Sequence, residues 1–217
     1  MARRKVVLWE VDAQADFMLP GGKLYVPGAE KLIPRMRRLV DRAIRRHVFL
    51  VSSGDAHTVN DSEFQSFPPH CLRGTPGANI IPEGLAEKYL TIPNDAAFRL
   101  PPDLLNYPQV VVEKQTLDVF DNPHASTIVE RLGSEPEYLV FGVVTEFCVR
   151  SAAKGLLARG RKVSIVRDAI ESLKSDEGSR TLEELQGLGA GLITTDEALE
   201  KIAPGSLESV GQASTSS

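Results

Sequence analysis

The chain has 217 residues, 42% of them hydrophobic and 25% charged, which is the length and composition of one soluble globular domain. Its net charge of −4 argues against a protein built mainly to bind nucleic acid or an anionic membrane. Two cysteines, Cys71 and Cys148, are too few for a disulfide scaffold. Because no apolar run suits a signal peptide or a transmembrane helix, we expect a cytoplasmic protein with no nucleic-acid or membrane partner.

Short apolar runs alternate with amphipathic patterns along most of the chain. The runs predict six strands, at Val6–Val11, Val48–Ser52, Val110–Glu113, Tyr138–Gly142, Lys162–Val166 and Leu192–Thr194. Helical periodicity predicts helices at about Ala29–Arg46, Ser126–Leu132, Glu146–Arg159, Asp176–Leu188 and Asp196–Ile202. We therefore expect an α/β fold of three layers, with a doubly wound, six-stranded parallel sheet and helices on both faces.

Two segments break this alternation. Gly54–Pro108 is rich in proline and polar residues and has little periodicity, which is typical of a functional or a disordered loop. Pro204–Ser217 is rich in glycine and serine, which predicts a disordered tail. We therefore expect a single domain over residues 1–203 and a tail over residues 204–217.

Candidate functional residues follow the predicted strands, because ligands of such sheets bind beyond the carboxyl ends of the strands. Asp12 ends the first strand, where an acid is costly unless it is paired. Lys114 ends the third strand, and taken alone it is better explained as a solvated strand end. Cys148 lies in the first turn of a predicted helix, where N–H groups and the helix dipole stabilise a thiolate. The alternative for Cys148 is a small buried residue, the commonest state of a free cysteine.

Ligand-type side chains are concentrated in the loop after the second strand. Asp55 and His57 are two residues apart, and Glu63 and His70 follow. Carboxylate and imidazole groups together suit Zn, Mn or Fe. The spacing by itself leaves a metal site and a chance cluster of polar loop residues equally open.

Three ordered motifs carry a resemblance to a known family. They are Val11-Asp12-Ala13-Gln14-Ala15-Asp16-Phe17, then Asp55-Ala56-His57 with the segment Phe67–Ala78, and then Gly142-Val143-Val144-Thr145-Glu146-Phe147-Cys148-Val149-Arg150. On these motifs the chain resembles the isochorismatase-like cysteine hydrolases, and among them most closely the nicotinamidases (pyrazinamidases). The resemblance runs from about Val6 to Thr195.

The resemblance implies a catalytic triad of Asp12, Lys114 and Cys148. In it, Asp12 is the general base, Cys148 is the nucleophile, and Lys114 lowers the pKa of both groups. It also implies an oxyanion hole made by the N–H groups of Val144 and Cys148, next to a cis peptide bond expected between Val144 and Thr145.

The resemblance further implies a divalent metal ion (Zn, Mn or Fe), for which the expected ligands are Asp55, His57, Glu63 and His70. Phe17 and Phe67 are the expected aromatic residues of the substrate pocket. Many nicotinamidases carry tryptophan at the position of Phe67. The expected assembly is a homodimer or a larger homo-oligomer.

The activity implied is a metal-dependent amidohydrolase that converts nicotinamide to nicotinate and ammonia through a thioester on the cysteine. One alternative within the same chemistry is hydrolysis of another small amide, such as an N-carbamoyl or ureido compound. Another is vinyl-ether hydrolysis of the isochorismatase type, against which Cys148 counts, since that chemistry needs no nucleophilic cysteine. A third alternative is a non-catalytic, ligand-binding member of the family.

Overall fold

One parallel sheet of seven strands forms the centre of the fold. The structure, a computed structural model, describes residues 5–202, so the tail predicted from residue 204 lies outside the described residues. The strands are β1 (Val6–Val11), β2 (Phe49–Asp55), β3 (Tyr89–Ile92), β4 (Gln109–Lys114), β5 (Glu137–Val143), β6 (Lys162–Glu171) and β7 (Gly191–Ile193). Their order across the sheet is β3-β4-β2-β1-β5-β6-β7.

The six predicted strands are all present, and the predicted count is one too low. The additional strand, β3, lies inside the segment Gly54–Pro108, for which the sequence predicts a loop. It is a short edge strand paired only with β4, and of its residues Ile92 alone is fully buried. A strand that is half exposed shows no continuous apolar run, so the pattern used for the other strands could not detect it.

The helices cover both faces of the sheet, as predicted. They are α1 (Ala15–Met18), α2 (Ile33–Ile44), α3 (Ala125–Leu132), α4 (Arg150–Ala158), α5 (Ser175–Gly187) and α6 (Thr195–Ile202). One core lies between the sheet and α2 with α6, and the other between the sheet and α3, α4 and α5. Strand β1 supplies both cores, because Leu8 faces the first while Val7 and Trp9 face the second. The doubly wound, three-layer fold is therefore confirmed.

The strand order places the carboxyl ends of β1, β2, β4 and β5 at one edge of the sheet. The chain first adds β2, β4 and β3 on one side of β1 and then adds β5, β6 and β7 on the other. The reversal lies between β1 and β5, which is where open α/β sheets bind their ligands. In the register, Val11 of β1 pairs with both Ser53 of β2 and Gly142 of β5.

Within the described part of the chain, no helix is both long and apolar enough to cross a membrane.

Candidate active site and metal centre

Asp12, Lys114 and Cys148 meet at this edge of the sheet, all of them buried. Lys114 Nζ lies 2.9 Å from Asp12 Oδ2 and donates a hydrogen bond to Cys148 Sγ at 3.5 Å. The other oxygen of Asp12, Oδ1, accepts a hydrogen bond of 2.8 Å from the Ser53 hydroxyl. Three groups from three different strand ends thus form one cluster of a carboxylate, an ammonium and a thiol.

Asp12 leaves β1 with a φ of 50°, a left-handed conformation that aspartate tolerates better than most residues other than glycine. Its N–H still donates to the carbonyl of Ser53 at 3.2 Å. The chain therefore turns sharply at the end of β1 while staying attached to β2. This turn places the Asp12 side chain beside Lys114.

Burial and neighbouring charges shift the pKa values of the three groups. Burial opposes the charge of Lys114, but the carboxylates of Asp12 and Asp55 outweigh it and hold the pKa of the ammonium well above its usual value. Burial raises the pKa of Asp12, and Lys114 offsets only part of this effect. Burial also raises the pKa of the Cys148 thiol, with Lys114 opposing and Asp12 adding to it. The charge of Lys114 thus lowers both pKa values, as predicted, but desolvation exceeds this effect and both values lie above their ordinary ones.

Cys148 lies on a π-helical turn, Thr145–Val149, that connects β5 to α4. The carbonyl of Val144 accepts hydrogen bonds of 3.1 Å from the N–H groups of Phe147 and Val149, which closes the turn. Just before the turn, Gly142 has a φ of 117°, and a Cβ on it would lie 2.0 Å from the carbonyl oxygen of Val11. Only glycine allows β5 to approach β1 this closely.

The cis peptide bond is also found here, but one residue earlier than predicted. It joins Val143 to Val144 and not Val144 to Thr145. The N–H group of a peptide bond belongs to its second residue, so the bond that carries the Val144 N–H is the one that precedes Val144. The assignment of the Val144 and Cys148 N–H groups to an oxyanion hole stays a prediction.

The four predicted metal ligands lie together beside this cluster. They are Asp55, His57, Glu63 and His70, and one ligand atom from each lies within 4.8 Å of all the others. Asp55 Oδ2 is 3.7 Å from His57 Nε2 and 3.5 Å from His70 Nε2. Glu63 Oε1 is 3.9 Å and 3.7 Å from the same two nitrogens. Two carboxylates thus face two imidazoles across a space of the size that one metal ion occupies.

Both histidines are oriented as metal-binding histidines usually are. His57 Nδ1 lies 3.0 Å from Asp61 Oδ2, and His70 Nδ1 lies 2.8 Å from the carbonyl oxygen of Pro68. A partner on one ring nitrogen fixes the ring and leaves the other nitrogen for the metal. His57 Nε2 is buried and has no hydrogen-bond partner within residues 5–202. A cation among these four residues would satisfy it.

The electrostatics of these four residues favour a bound cation. Burial and the nearby charge of Asp55 raise the pKa of Glu63, because two carboxylates in a dry site repel each other. Burial disfavours the protonated form of His57, but Asp55, Asp61 and Glu63 outweigh it and raise its pKa. A divalent ion would relieve the repulsion between the carboxylates, so the donor set fits a metal such as Zn, Mn or Fe.

The cluster and the metal group share one residue, Asp55. Its Oδ1 pairs with Lys114 Nζ, while its Oδ2 faces the two histidines. Burial alone would raise the pKa of Asp55, but Lys114 and the histidines lower it far below its usual value. The sequence predicted Asp55 only as a metal ligand and did not reveal its contact with Lys114.

Aromatic side chains surround the histidines. The ring centroids of Phe17 and Phe67, both predicted, lie 5.2 Å and 6.5 Å from that of His70. Two further rings were not predicted: Phe64 lies 5.0 Å from His57, and Phe147 lies 5.6 Å from Phe67. Phe64 follows the predicted ligand Glu63 in the chain, and Phe147 precedes the predicted nucleophile Cys148. These neighbouring positions are the sequence signal from which the two rings could have been predicted. Asp61 was also missed, although it stands four residues after His57.

Comparison with known proteins agrees with this geometry. Residues 92–197 match the sequence profile of the isochorismatase domain. A nicotinamidase/pyrazinamidase of Mycobacterium tuberculosis is 27% identical over 189 residues, which cover 84% of this chain and 95% of that protein.

Solved structures share the fold. A pyrazinamidase of Pyrococcus horikoshii in complex with zinc matches with a TM-score of 0.70 and 27% identity, covering 88% of this chain and 99% of that one. The N-carbamoylsarcosine amidase of Thermoplasma acidophilum matches with a TM-score of 0.69 and 22% identity, covering 88% of this chain and 97% of that one, which shows the common fold alone.

The fold is the α/β fold of these solved structures, and a carboxylate, an ammonium and a thiol are buried together at its strand ends. With these relatives, the chain is similar over most of its length to hydrolases of the isochorismatase-like superfamily.

Proposed function

We propose that this protein is a metal-dependent amidohydrolase that converts nicotinamide to nicotinate and ammonia through a thioester on Cys148. The observation that carries the proposal is the sharing of Asp55 between the Asp12–Lys114–Cys148 cluster and the group of four metal-ligand side chains. A nucleophile and a substrate-orienting metal would then be connected through two adjoining side chains, those of Lys114 and Asp55. The proposal is supported by the nicotinamidase/pyrazinamidase relative and by the zinc-bound pyrazinamidase structure.

In this proposal Asp55, His57, Glu63 and His70 would hold the metal, which would supply a Lewis-acidic centre that orients a pyridine amide through its ring nitrogen. Zn, Mn and Fe all suit this donor set. The rings of Phe17 and Phe67 pack against the substrate ring, and Phe64 and Phe147 complete the aromatic wall.

Asp12 starts the reaction by accepting the proton of the Cys148 thiol. Because burial raises the pKa of Asp12, its carboxylate is a stronger base than a solvated aspartate. Lys114, 3.5 Å from the sulfur, balances the negative charge as the thiolate forms. The pair therefore begins as a neutral thiol and a carboxylate and becomes a thiolate and a carboxylic acid at the moment of attack.

The thiolate then forms a bond to the amide carbon, and the N–H groups of Val144 and Cys148 stabilise the resulting oxyanion. Removing one such donor typically lowers the rate about 10²–10³-fold. Asp12 returns its proton to the nitrogen, and the carbon–nitrogen bond breaks to release ammonia. Water hydrolyses the thioester, which yields the carboxylic acid and restores the thiol.

The second candidate substrate is an N-carbamoyl or ureido compound. It is favoured only by the common fold with N-carbamoylsarcosine amidase, whereas the ligand group around His57 and His70 favours a substrate with a metal-binding ring nitrogen. The further proposal of a homodimer or larger homo-oligomer is tested by the mass of the protein in solution.

Ammonia release from a panel of amides tests the proposal. The panel contains nicotinamide, pyrazinamide, an N-carbamoyl amino acid and ureidoacrylate, with Cys148→Ala as the matched inactive control. We expect the highest kcat/KM on the two pyridine-type or pyrazine-type amides and no turnover in the variant. Preference for the N-carbamoyl or ureido compound would support the second candidate, and no ammonia from any amide would contradict both.

A further inference from the structure

Gln14 holds the backbone of Asp55 from both sides of that residue. Gln14 Oε1 accepts a hydrogen bond of 2.6 Å from the Asp55 N–H, and Gln14 Nε2 donates one of 2.8 Å to the Asp55 carbonyl. A third bond of 2.7 Å runs from Gln14 Nε2 to the carbonyl of Ala78. The Gln14 side chain is buried, so it has no water to replace these partners.

A carboxamide is the one side-chain group that can make this contact. It offers an acceptor and two donors in one plane, which match an N–H group and two carbonyls. Glutamate would place a carboxylate oxygen against the two carbonyls, and methionine would make none of the three bonds. Asparagine has the right groups but is shorter by one methylene.

Gln14 is itself firmly placed. Its carbonyl accepts hydrogen bonds from the N–H groups of Phe17 and Met18, at 3.0 Å and 2.9 Å, in the first turn of α1. Its backbone also pairs with Ile80 in an isolated antiparallel bridge. The clamp on Asp55 therefore extends from a rigid segment that begins at the triad residue Asp12.

We infer that Gln14 is a positioning residue, which sets the direction in which the Asp55 side chain leaves β2. The inference rests on the proposed function. Because Asp55 contacts Lys114 with one oxygen and faces the histidines with the other, a shift of its backbone moves two contacts together. Gln14 thereby sets both the affinity for the metal and the place of Lys114 beside Cys148, although it touches neither the metal ligands' imidazoles nor the sulfur.

Gln109 provides a matched comparison within the same chain. It is fully buried, accepts a hydrogen bond of 2.7 Å from the Ala86 N–H, and donates bonds of 2.9 Å to the Gly84 carbonyl and 2.8 Å to the Ser52 hydroxyl. Both glutamines therefore make three buried hydrogen bonds, all three to backbone groups for Gln14 and two of the three for Gln109. Gln109 stands at the first residue of β4, and Lys114 ends the same strand. Loss of three buried hydrogen bonds should cost similar stability at either position, but only Gln14 holds Asp55.

The test compares Gln14→Met with Gln109→Met. The dissociation constant for Zn²⁺ is measured on metal-free protein by competition with a coloured chelator. The rate of Cys148 alkylation is measured by mass spectrometry of the peptide that contains it. Both variants should unfold at lower denaturant concentration than the unsubstituted protein. Only Gln14→Met should bind Zn²⁺ more weakly, by about 10–100-fold, the range found for residues that orient metal ligands. The pH dependence of the rate of Cys148 alkylation should also shift in Gln14→Met.

If Gln14→Met does not fold, Gln14→Asn replaces it, because this variant keeps the amide but cannot reach all three partners. Equal Zn²⁺ affinity in the Gln14 and Gln109 variants, with wild-type affinity intact, would overturn the inference and leave the proposed function standing. An unsubstituted protein that neither binds Zn²⁺ nor hydrolyses amides would overturn the proposed function, and this inference with it.

Discussion

Asp55 pairs with Lys114 through Oδ1, and with its other oxygen it faces His57 and His70 at 3.7 Å and 3.5 Å. The pairing follows from the sheet, because Asp55 of β2 and Lys114 of β4 are direct partners in the parallel register. The last residues of two neighbouring strands thus connect the Asp12–Lys114–Cys148 cluster to the group of four ligand-type side chains. A change in the charge of Asp55 or Lys114 therefore alters the electrostatics of the Asp12–Lys114–Cys148 cluster and of the four ligand-type side chains together.

Lys114→Met should destabilise the protein by about 3–5 kcal/mol, because it leaves the buried carboxylates of Asp12 and Asp55 without their counter-charge. It should also raise the pKa of the Cys148 thiol further, since the charge that lowers that pKa is gone. The measurements are chemical denaturation and the rate of Cys148 alkylation against pH. Lys154→Met is the control, because Lys154 pairs with Glu184 at a half-exposed position and should change stability by about 1 kcal/mol or less. The same pH dependence of Cys148 alkylation in Lys114→Met and in wild type would show that Lys114 does not lower the pKa of the thiol.

Cys148→Ala should abolish amide hydrolysis while the fold and the metal affinity persist. The side chain of Cys148 is small and alanine fits the turn that carries it. Cys71→Ala should keep most of the activity, because burial and nearby carboxylates raise the pKa of the Cys71 thiol far above its usual range and keep it unreactive. Turnover and the unfolding midpoint are compared in the two variants. Equal loss of turnover in both would contradict the assignment of Cys148 as nucleophile.

The residues that the sequence could predict are those that end a continuous apolar strand or stand in a motif. Asp12, Lys114 and Cys148 meet these conditions, and the alternation of strands and helices predicted where their strands would end. The contact between Asp55 and Lys114 could not be predicted, because 59 residues separate them and only the β2–β4 register brings them together. Phe64 and Asp61 lie near His57 in the chain, but their contacts with it depend on the path of an irregular loop, which no periodic pattern predicts. Strand β3 was missed because it is a half-exposed edge strand of the sheet and therefore has no continuous apolar run.

Glu10→Gln should stabilise the protein at neutral pH. Glu10 lies in the middle of the sheet and is fully buried, and its Oε2 accepts a hydrogen bond of 2.7 Å from the Ser52 hydroxyl. Its Oε1 has no hydrogen-bond partner within residues 5–202. Burial raises the pKa of this carboxyl to about 8. The native state therefore holds a proton at neutral pH that the unfolded chain has lost.

The difference in proton binding between the native and unfolded states sets the pH dependence of the contribution of Glu10 to the free energy of unfolding. A raised native pKa means that the native state binds more protons, so the contribution of Glu10 is fully favourable below pH 4.5 and is lost as the pH rises to about 8. At pH 7 the loss is on the order of 3 kcal/mol, since one pKa unit corresponds to about 1.4 kcal/mol. The glutamine side chain of the variant does not titrate, so the difference in unfolding free energy between variant and wild type should grow from pH 4.5 to 8. Other groups titrate in both proteins and cancel in this difference. A constant difference across that range would show that Glu10 does not titrate there.

Two substitutions, His70→Ala and Asp55→Asn, should distinguish effects on metal binding from effects on the reactivity of Cys148. His70 faces Asp55 and Glu63 but not Cys148, so His70→Ala should lose Zn²⁺ and nicotinamide hydrolysis while Cys148 stays reactive to alkylation. Asp55→Asn removes a negative charge that also pairs with Lys114. It should therefore alter both Zn²⁺ binding and the pH dependence of Cys148 alkylation. Bound metal is measured by elemental analysis of each purified variant.

Chelation of the wild-type protein tests the same arrangement without mutation. If the metal orients the ring nitrogen, chelation should lower hydrolysis of nicotinamide far more than that of benzamide, which has the ring but not the nitrogen. Active purified protein that holds no metal and is unaffected by chelator would move the proposal to a metal-free amidase of the same fold.

Gly77→Ala should weaken the metal site from a distance. A Cβ on Gly77 would lie 2.3 Å from the carboxylate of Asp16, and that carboxylate accepts a hydrogen bond of 2.7 Å from the N–H of Cys71, the neighbour of His70. The methyl group must therefore displace Asp16 and release the loop that carries His70. Overpacking of this kind costs about 1–3 kcal/mol, and we expect weaker Zn²⁺ binding with it. Gly187→Ala is the control, because a Cβ there meets no atom within 4 Å and alanine favours a helix.

A double-mutant cycle identifies the contact responsible. Asp16→Ala removes the carboxylate that the new methyl group would strike, and by itself it should also weaken Zn²⁺ binding, since the Cys71 N–H loses its acceptor. In the Asp16→Ala background, Gly77→Ala should then cost little further stability or affinity. The two substitutions should be strongly non-additive, as expected for residues in direct contact. Additive effects on the free energy of unfolding and on the Zn²⁺ dissociation constant would show that Gly77 acts on the loop by another route, and that Asp16 does not transmit its effect to His70.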